Sequence, residues 1–381
     1  MTRTSTVQKI RRQEPTFACS DLPAGLAGKI IGQPEAINAI IPYLEMYMAG
    51  LAPKGRPAGV CLLLGPTGTG KTRTVEVLAE LLHGSDKSLL RVDCGEFQME
   101  HEVAKLIGAP PGYLGHRETQ PWITQQKLNA VASERCDLSL LLFDEIEKAA
   151  PSMMRLLLGM MDRATLRLGD STMVNLERTL IFLTSNAGAK EIMREVMPRY
   201  GLGGGVPSDD RGMSRRVGRV ATASLRKQFS PEFLNRIDAI VSYSPLGHAS
   251  LEAVLDLQIR DLQRLIEERL GEDAFRIEVL PEARRFLLAR GAAPEYGARE
   301  LRRTLERYLA HPLAALVARD ALVPDSTVLV SVDATGARLD FRCEENTTAQ
   351  RDATYRQDQP EPIQRAARRR VTPGGQAAAS S

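Results

Sequence analysis

The chain has 381 residues, of which 43% are hydrophobic and 25% are charged, and its formal net charge at pH 7 is +3. These values predict a globular protein of two or three domains, or one large domain with an appendage, and the balanced charge indicates neither a nucleic-acid nor a membrane partner. The apolar runs are far shorter than the roughly 20 residues of a membrane-spanning helix, and the N-terminus lacks the apolar core of a secretory signal, so we expect a cytoplasmic protein.

The first part of the chain has the pattern of an α/β domain. Residues 1–24 are expected to be a flexible N-terminal segment, and residues 25–244 alternate short β-rich runs with helical stretches. The β-rich runs are residues 60–64, 89–92, 138–143 and 179–183. This alternation predicts a parallel sheet covered by helices, with a ligand site at the carboxyl ends of the strands.

A phosphate-binding loop follows the first β-rich run. The string "GPTGTGKT" has the pattern G-x-x-x-x-G-K-[ST] between a strand and a helix. Its residues are Gly65, Pro66, Thr67, Gly68, Thr69, Gly70, Lys71 and Thr72. Backbone N–H groups of such a loop cradle phosphates, Lys71 reaches the terminal phosphates, and the Thr72 hydroxyl binds Mg²⁺. The sequence therefore predicts ATP and Mg²⁺ as ligands.

The string "GAPPGYLG", residues 108–115, places Tyr113 among glycines and prolines. These residues predict an exposed, shaped turn, because glycine permits unusual backbone angles and proline removes N–H donors. Two interpretations remain open from the residues alone. Tyr113 is either displayed for contact with a ligand or folded back as a hydrophobic plug.

Two further strand ends carry polar residues suited to ATP hydrolysis. The run "LSLLLFDEIEK" ends in Asp144, which we expect to complete the Mg²⁺ shell, and Glu145, which we expect to accept a proton from the attacking water. The alternative is that both acids only cap the strand. In "LIFLTSNAG", Asn186 is predicted to orient the attacking water, although asparagine also forms turns.

The remainder of the chain predicts a second, smaller domain and a tail. Residues 245–343 combine helical stretches with β-like runs at "FRIEV", "TVLVSV" and "ARLDF", which is typical of a small α+β domain. Residues 344–381 are polar, contain proline and lack apolar periodicity, so we expect them to be disordered.

Several long motifs occur in an order that carries a family resemblance. Besides the strings already quoted, these are "IIGQPEAI" (30–37), "FSPEFLNRID" (229–238) and "EYGARELRR" (295–303). Together they resemble the C-terminal AAA+ ATPase module of the Clp unfoldases and disaggregases, ClpA, ClpB and ClpC, over roughly residues 25–343. The resemblance implies a P-loop AAA+ domain followed by a small C-terminal lid domain.

The resemblance also implies roles for four residues. Arg236 matches the arginine finger that reaches the ATP of a neighbouring subunit, and Arg299 matches the second sensor that the small domain carries back to the nucleotide. Guanidinium suits both roles because it stays charged and contacts phosphate oxygens with two donors. Ile31 matches the apolar contact to adenine. Tyr113 matches the aromatic residue with which these proteins grip polypeptide in a central pore.

From this resemblance we expect an ATP- and Mg²⁺-dependent protein unfoldase or remodelling chaperone. An arginine finger acting in trans implies a head-to-tail homo-oligomer, a hexameric ring in this family, with polypeptide substrates. One alternative is a nucleotide-switched assembly or regulatory factor that does not thread polypeptide. The other is the ATPase subunit of a ClpP-type protease, which only the tripeptide "YGL" at residues 200–202 favours.

The chain departs from the family pattern at two places. After Tyr113 it has "HRETQPW", residues 116–122, where the family has a glycine- and acid-rich stretch. Residues 162–176 keep the length of a family hairpin but lose most of its glycines and polar residues, with Thr172 where that pattern has arginine. We therefore expect altered pore contacts, with ATP hydrolysis less affected.

Overall fold

The computed structural model describes residues 21–109, 120–196, 219–220, 223–292 and 297–344. Tyr113, the tripeptide at residues 200–202 and nearly all of the two predicted terminal segments lie outside the described residues.

The first part of the chain, up to Ser242, forms a parallel sheet covered by helices. Its helices include α1 (Leu22–Lys29), α2 (Pro34–Met48), α3 (Lys71–His83), α4 (Val103–Ile107), α5 (Gln125–Val131), α6 (Pro151–Arg163), α7 (Ala189–Val196) and α8 (Pro231–Leu234). Its strands are β1 (Gly59–Leu64), β2 (Leu90–Asp93), β3 (Ser139–Asp144), β4 (Thr165–Arg167), β5 (Met173–Asn175), β6 (Thr179–Ser185) and β7 (Ala239–Ser242). Across the described residues the large sheet has the order β2–β3–β6–β1–β7, and β4 and β5 form a separate antiparallel hairpin.

The central strands are apolar along almost their whole length because both faces of the sheet are covered. Every residue of β1, β3 and β6 is buried. Alternate residues of β1 belong to different cores: Val60 and Leu62 pack on the face that holds α6, whereas Cys61 and Leu63 pack on the face that holds α2 and α3. This arrangement confirms the predicted α/β fold class.

The parallel register brings the carboxyl ends of the strands to one edge. Leu64 lies opposite both Ser185 and Ser242, and Asp93 lies opposite Asp144. Residues that directly follow these strands therefore meet at this edge.

Two features differ from the sequence predictions. Strand β7, which pairs with β1, was not predicted, because Ala239–Ser242 is short and mostly not buried, so that it lacks an apolar run. Helix α1 begins at Leu22, inside the segment assigned to a flexible lead-in, and the side chain of Leu22 is fully buried in the core.

The second part of the chain is a smaller α+β unit with its own core. Its helices are α9 (His248–Leu270), α10 (Pro281–Gly291), α11 (Ala298–Leu305) and α12 (His311–Val317), with a π-helical turn at Glu306–Ala310. Its strands are β8 (Arg276–Val279), β9 (Thr327–Val332) and β10 (Leu339–Glu344). Strand β9 is central, parallel to β8 and antiparallel to β10, and the core includes Leu255, Leu287, Leu301 and Val328.

Among the helices that the structure describes, none is both long enough and apolar enough to span a membrane.

Candidate nucleotide site

The phosphate loop lies between the end of β1 and the start of α3. Gly70 precedes the helix with φ of 104°, in the region that favours glycine. Gly65 has φ of 150°, and a Cβ atom there would lie 2.6 Å from the carbonyl oxygen of Tyr243. The loop therefore needs glycine at both positions, and it delivers the N-terminus of a 13-residue helix to the edge of the sheet.

Lys71 points back into the loop and is buried. Its ammonium group donates to the carbonyl oxygens of Gly65 at 2.6 Å and Pro66 at 2.9 Å, and to Oδ1 of Asn186 at 2.9 Å. Burial lowers the pKa of Lys71 to about 8, and nearby carboxylates, Glu147 foremost, oppose this shift. The Lys71 ammonium group is thus surrounded by hydrogen-bond acceptors at the carboxyl ends of the strands.

Thr72 and Asp144 provide oxygen atoms suited to Mg²⁺. The Thr72 hydroxyl lies 3.3 Å and 3.4 Å from the two carboxylate oxygens of Asp144, and the Thr184 hydroxyl also donates to Asp144. No group of three or more His, Cys, Asp or Glu side chains arranged for a metal occurs in the described ranges. A site with one carboxylate and one hydroxyl fits Mg²⁺, which is commonly bound by one or two carboxylates together with phosphate oxygens and water.

Glu145 is held in an unusual backbone conformation. Its φ is 56° and its ψ is 51°, which is the left-handed region that costs a non-glycine residue about 1–3 kcal/mol. Its N–H donates to the Thr184 hydroxyl at 3.0 Å, and its carboxylate accepts from Nδ2 of Asn186 at 3.4 Å and pairs with Lys148. This turn directs the carboxylate towards Asn186 instead of away from the strand end.

Asn186 links two of the predicted site residues. Its oxygen accepts from Lys71 and its nitrogen donates to Glu145. Glu147 was not predicted as a site residue, and its carboxylate accepts the Asn186 backbone N–H at 3.0 Å. Glu147 is the third acid in "DEIEK", but nothing in the sequence relates it to Asn186, which lies 39 positions away.

The small unit touches the phosphate loop through its backbone. The N–H of Ala298 donates to the carbonyl oxygen of Gly68 at 3.0 Å. Gly297 has φ of 51°, and a Cβ atom there would lie 2.7 Å from the same oxygen. The Arg299 side chain is exposed, and its positive charge contributes to lowering the pKa of Lys71. Arg299 is therefore on the same side of the molecule as the phosphate loop.

Ile31 lies just before α2. Its side chain is half-buried. Its neighbour Gln33, which the sequence analysis did not single out, donates to the carbonyl oxygens of Ser244 at 2.8 Å and Thr69 at 3.3 Å. Gln33 thus ties the segment of Ile31 both to the phosphate loop and to the start of the small unit.

Arg236 lies apart from the phosphate loop and from the acidic residues at the strand ends of its own chain. Its guanidinium lies 3.6 Å from Asp162 and 3.7 Å from Glu232. It lines an open groove of about 360 Å³, together with Arg155 and Arg163, and no residue of the phosphate loop is in the lining. The structure therefore separates Arg236 from Lys71, Asp144 and Glu145.

The segment that contains Tyr113 begins and ends at adjoining points. A Cβ atom on Gly108 would lie 2.9 Å from the ring of Pro121, so the chain leaves and returns at one place. We call Gly108 and Pro121, where the chain leaves and returns, the base of the Tyr113 segment. The turn of the β4–β5 hairpin packs next to this base, since the N–H of Gly169 donates to the carbonyl oxygen of Ile107 at 2.8 Å. The two segments that depart from the family pattern therefore both approach Gly108, Pro121 from one segment and Gly169 from the other.

Two family models match consecutive parts of the chain. Residues 56–240 match the AAA domain (Cdc48 subfamily), and residues 246–330 match the C-terminal, D2-small domain of ClpB protein. The two matches correspond to the parallel-sheet unit and the smaller α+β unit.

Curated relatives extend this similarity. The chain is 37% identical over 305 residues to the chaperone protein ClpB of Aquifex aeolicus, a match that covers 79% of this chain and 28% of that protein. It is 36% identical over 304 residues to ClpB of Vibrio cholerae, covering 80% of this chain and 33% of the relative. The chain thus spans about a third of the length of the curated relatives it matches.

Solved structures agree with the sequence comparisons. A closed state of Hsp104 with ATPyS and FITC casein has a TM-score of 0.71 and 25% identity, covering 85% of this chain and 51% of that chain. An extended conformation of the Saccharomyces cerevisiae Hsp104:casein complex gives the same score and identity, with 85% and 52% covered. The predicted Clp-type module, AAA+ fold and assignment as an ATPase are confirmed at the level of the family. The chain belongs to the Clp family of AAA+ ATPases.

Proposed function

We propose that this chain is the motor of an ATP- and Mg²⁺-dependent protein unfoldase or remodelling chaperone. It works as a homo-oligomeric ring, six-membered as the family resemblance implies, hydrolyses ATP at subunit interfaces and draws polypeptide past Tyr113. The observation that carries the proposal is the pair of hydrogen bonds made by the Asn186 amide group. Its oxygen accepts from the phosphate-loop lysine, Lys71, and its nitrogen donates to the carboxylate of Glu145.

Each residue at this edge of the sheet has a different role in ATP hydrolysis. Lys71 binds the terminal phosphates, and Glu145 takes the proton from the attacking water. Asn186 is placed between the two and orients that water. When bound by Thr72 and Asp144, Mg²⁺ neutralises charge that develops on the phosphate oxygens. Ile31 contacts the adenine, and Arg299 senses the nucleotide from the small unit.

The position of Arg236 supports hydrolysis between subunits. It lies in an open groove lined by several arginines and apart from the phosphate loop of its own chain. A guanidinium on one face and a nucleotide site on another make a heterologous, head-to-tail contact, and such contacts close into rings when the rotation allows. We therefore assign Arg236 to the nucleotide of the neighbouring subunit.

Polypeptide as substrate is supported by the relatives and by the base of the Tyr113 segment. Both Hsp104 structures are of Hsp104 together with casein. An aromatic side chain offers a large, stiff and amphipathic contact surface to almost any peptide at low entropic cost. Because Gly108, Pro121 and Gly169 meet at one place, the nucleotide-binding unit firmly supports both ends of the segment.

The proposal is tested by ATP-driven unfolding of a tagged fluorescent protein. Wild-type protein should abolish the fluorescence in an ATP-dependent manner. Tyr113→Ala should hydrolyse ATP at near the wild-type rate but unfold at least about tenfold more slowly, while the matched control Tyr113→Phe, which keeps the ring, should retain most of the activity.

The remaining outcomes distinguish the alternatives. Unfolding by Tyr113→Ala at the wild-type rate would contradict threading past this residue. ATP hydrolysis by the wild type without unfolding of any tagged substrate would favour a nucleotide-switched assembly factor.

A further inference from the structure

Arg91 makes an ion pair with the carboxylate assigned to Mg²⁺. It lies on β2, at the edge of the large sheet, beside the strand that ends in Asp144. Its Nη2 atom is 2.5 Å from Oδ2 of Asp144, and the Arg91 side chain is 50% exposed whereas that of Asp144 is 11% exposed. A half-exposed cation that solvent can reach therefore shares the carboxylate with Thr72 and Thr184.

The backbone of the same residue holds Trp122. The indole N–H of Trp122 donates to the carbonyl oxygen of Arg91 at 3.1 Å. The backbone N–H of Trp122 donates to the carbonyl oxygens of Lys105 and Leu106, each at 3.1 Å. The ammonium of Lys127 lies 5.3 Å from the centre of the indole ring. Trp122 is thus fixed from three sides where the chain returns from the segment of Tyr113.

These contacts form a short physical connection. Asp144 is bonded to the side chain of Arg91, and the backbone of Arg91 is bonded to Trp122. Trp122 belongs to "HRETQPW", the segment in which this chain departs from the family pattern. The connection leads from the proposed Mg²⁺ ligand to the base of the proposed substrate segment through one arginine.

We propose that Arg91 is a positioning residue that couples Mg²⁺-nucleotide binding at Asp144 to the Tyr113 segment through Trp122. This inference rests on the proposed function. A divalent cation and a guanidinium compete for the same carboxylate, since each is attracted to it and they repel one another. Mg²⁺ binding therefore weakens the ion pair of Arg91, and the edge strand and the indole bonded to it readjust. Because such coupling is reciprocal, a ligand that orders Trp122 also changes the affinity of the protein for Mg²⁺.

The sequence provides a direct reporter, because Trp122 is its one tryptophan. The indole is 45% exposed, so its emission responds to a change in surroundings. The experiment uses the full chain saturated with ADP and follows tryptophan emission while Mg²⁺ is titrated from an EDTA-buffered start. ADP binding is measured separately by calorimetry.

Wild-type protein should show an emission change that depends on Mg²⁺ and saturates. Arg91→Met should lose most of this change and should bind Mg²⁺ about fivefold more tightly or better, because the competing cation is gone. Arg91→Lys, which restores the charge, should recover part of the change. Arg178→Met is the matched control, since Arg178 makes an exposed ion pair with Asp137 elsewhere, and it should behave as wild type.

Arg91→Met leaves the backbone carbonyl, and therefore the acceptor for Trp122, in place. Far-ultraviolet circular dichroism and the melting temperature verify folding, and Arg91→Lys serves as the test if the methionine variant does not fold. A wild-type Mg²⁺ response in both Arg91 variants, or ADP binding without any Mg²⁺ response in the wild type, would overturn the coupling alone. Absence of ADP binding would overturn the proposed function and this inference with it.

Discussion

The backbone N–H of Ala298 donates to the carbonyl oxygen of Gly68, at 3.0 Å. This hydrogen bond joins the first residue of a helix in the small unit to the middle of the phosphate loop. We therefore expect a movement of the loop on nucleotide binding to be transmitted to the small unit, where Arg299 lies one residue beyond the contact.

Gly297→Ala tests this contact. We expect ADP to bind about tenfold more weakly, because a Cβ atom 2.7 Å from the Gly68 carbonyl forces the small unit away from the loop. Gly271→Ala is the matched control: its φ of 58° is similarly positive, but no atom lies within 4 Å of the added Cβ. Calorimetry measures both affinities. Equal weakening by the two variants would mean that backbone strain, and not the contact, is responsible.

Glu145→Gln tests the proposed general base. The amide keeps an oxygen to accept from Asn186 but takes up no proton, so we expect ATP hydrolysis to fall by about 10²–10⁴-fold. ATP affinity should change little, because Lys71 and the loop are intact. Steady-state phosphate release and binding of a fluorescent nucleotide measure the two quantities. Glu134→Gln, at an exposed position, should leave both unchanged; substantial hydrolysis by Glu145→Gln would assign the base elsewhere.

Mixing two inactive variants tests whether Arg236 acts on a neighbouring subunit. Arg236→Ala alone should hydrolyse ATP about a hundredfold more slowly or worse. When mixed with Glu145→Gln, whose Arg236 is intact, it should recover about a quarter of the wild-type rate, since random neighbours in a head-to-tail ring complete that share of sites.

The control for this experiment is a mixture of Glu145→Gln with Lys71→Ala. Both variants carry Arg236, but each has a damaged site of its own, so no recovery is expected. Size-exclusion chromatography establishes that the mixed subunits assemble. A mixture of Arg236→Ala and Glu145→Gln that assembles but stays inactive would contradict action in trans.

Gly169→Ala tests the support of the Tyr113 segment by the β4–β5 hairpin. A Cβ atom there would lie 2.4 Å from the carbonyl oxygen of Gly108, so we expect a loss of about 1–3 kcal/mol in the free energy of unfolding. Substrate unfolding should fall more than ATP hydrolysis, because the displaced base carries Tyr113. Gly28→Ala in α1, with no atom within 4 Å of the added Cβ, should leave both activities unchanged.

The phosphate loop and the buried strands could be read from the sequence because their determinants are local. The glycines, lysine and threonine of the loop from Gly65 to Thr72 are neighbours in the sequence, and β1, β3 and β6 are apolar because both faces of a parallel sheet are covered. Strand β7 was missed because its four residues, of which Val241 alone is buried, leave no periodic signal.

Only the tertiary structure decided which polar residues meet. The parallel register sets Asp93 beside Asp144. This register lets Arg91 reach the carboxylate of Asp144, although Arg91 and Asp144 lie 53 positions apart in the sequence. The left-handed turn at Glu145, stabilised by Thr184, directs its carboxylate to Asn186. Composition and spacing specify each strand and each loop separately. Their mutual placement depends on strand order and on the closure of long connections, which no short stretch of sequence encodes.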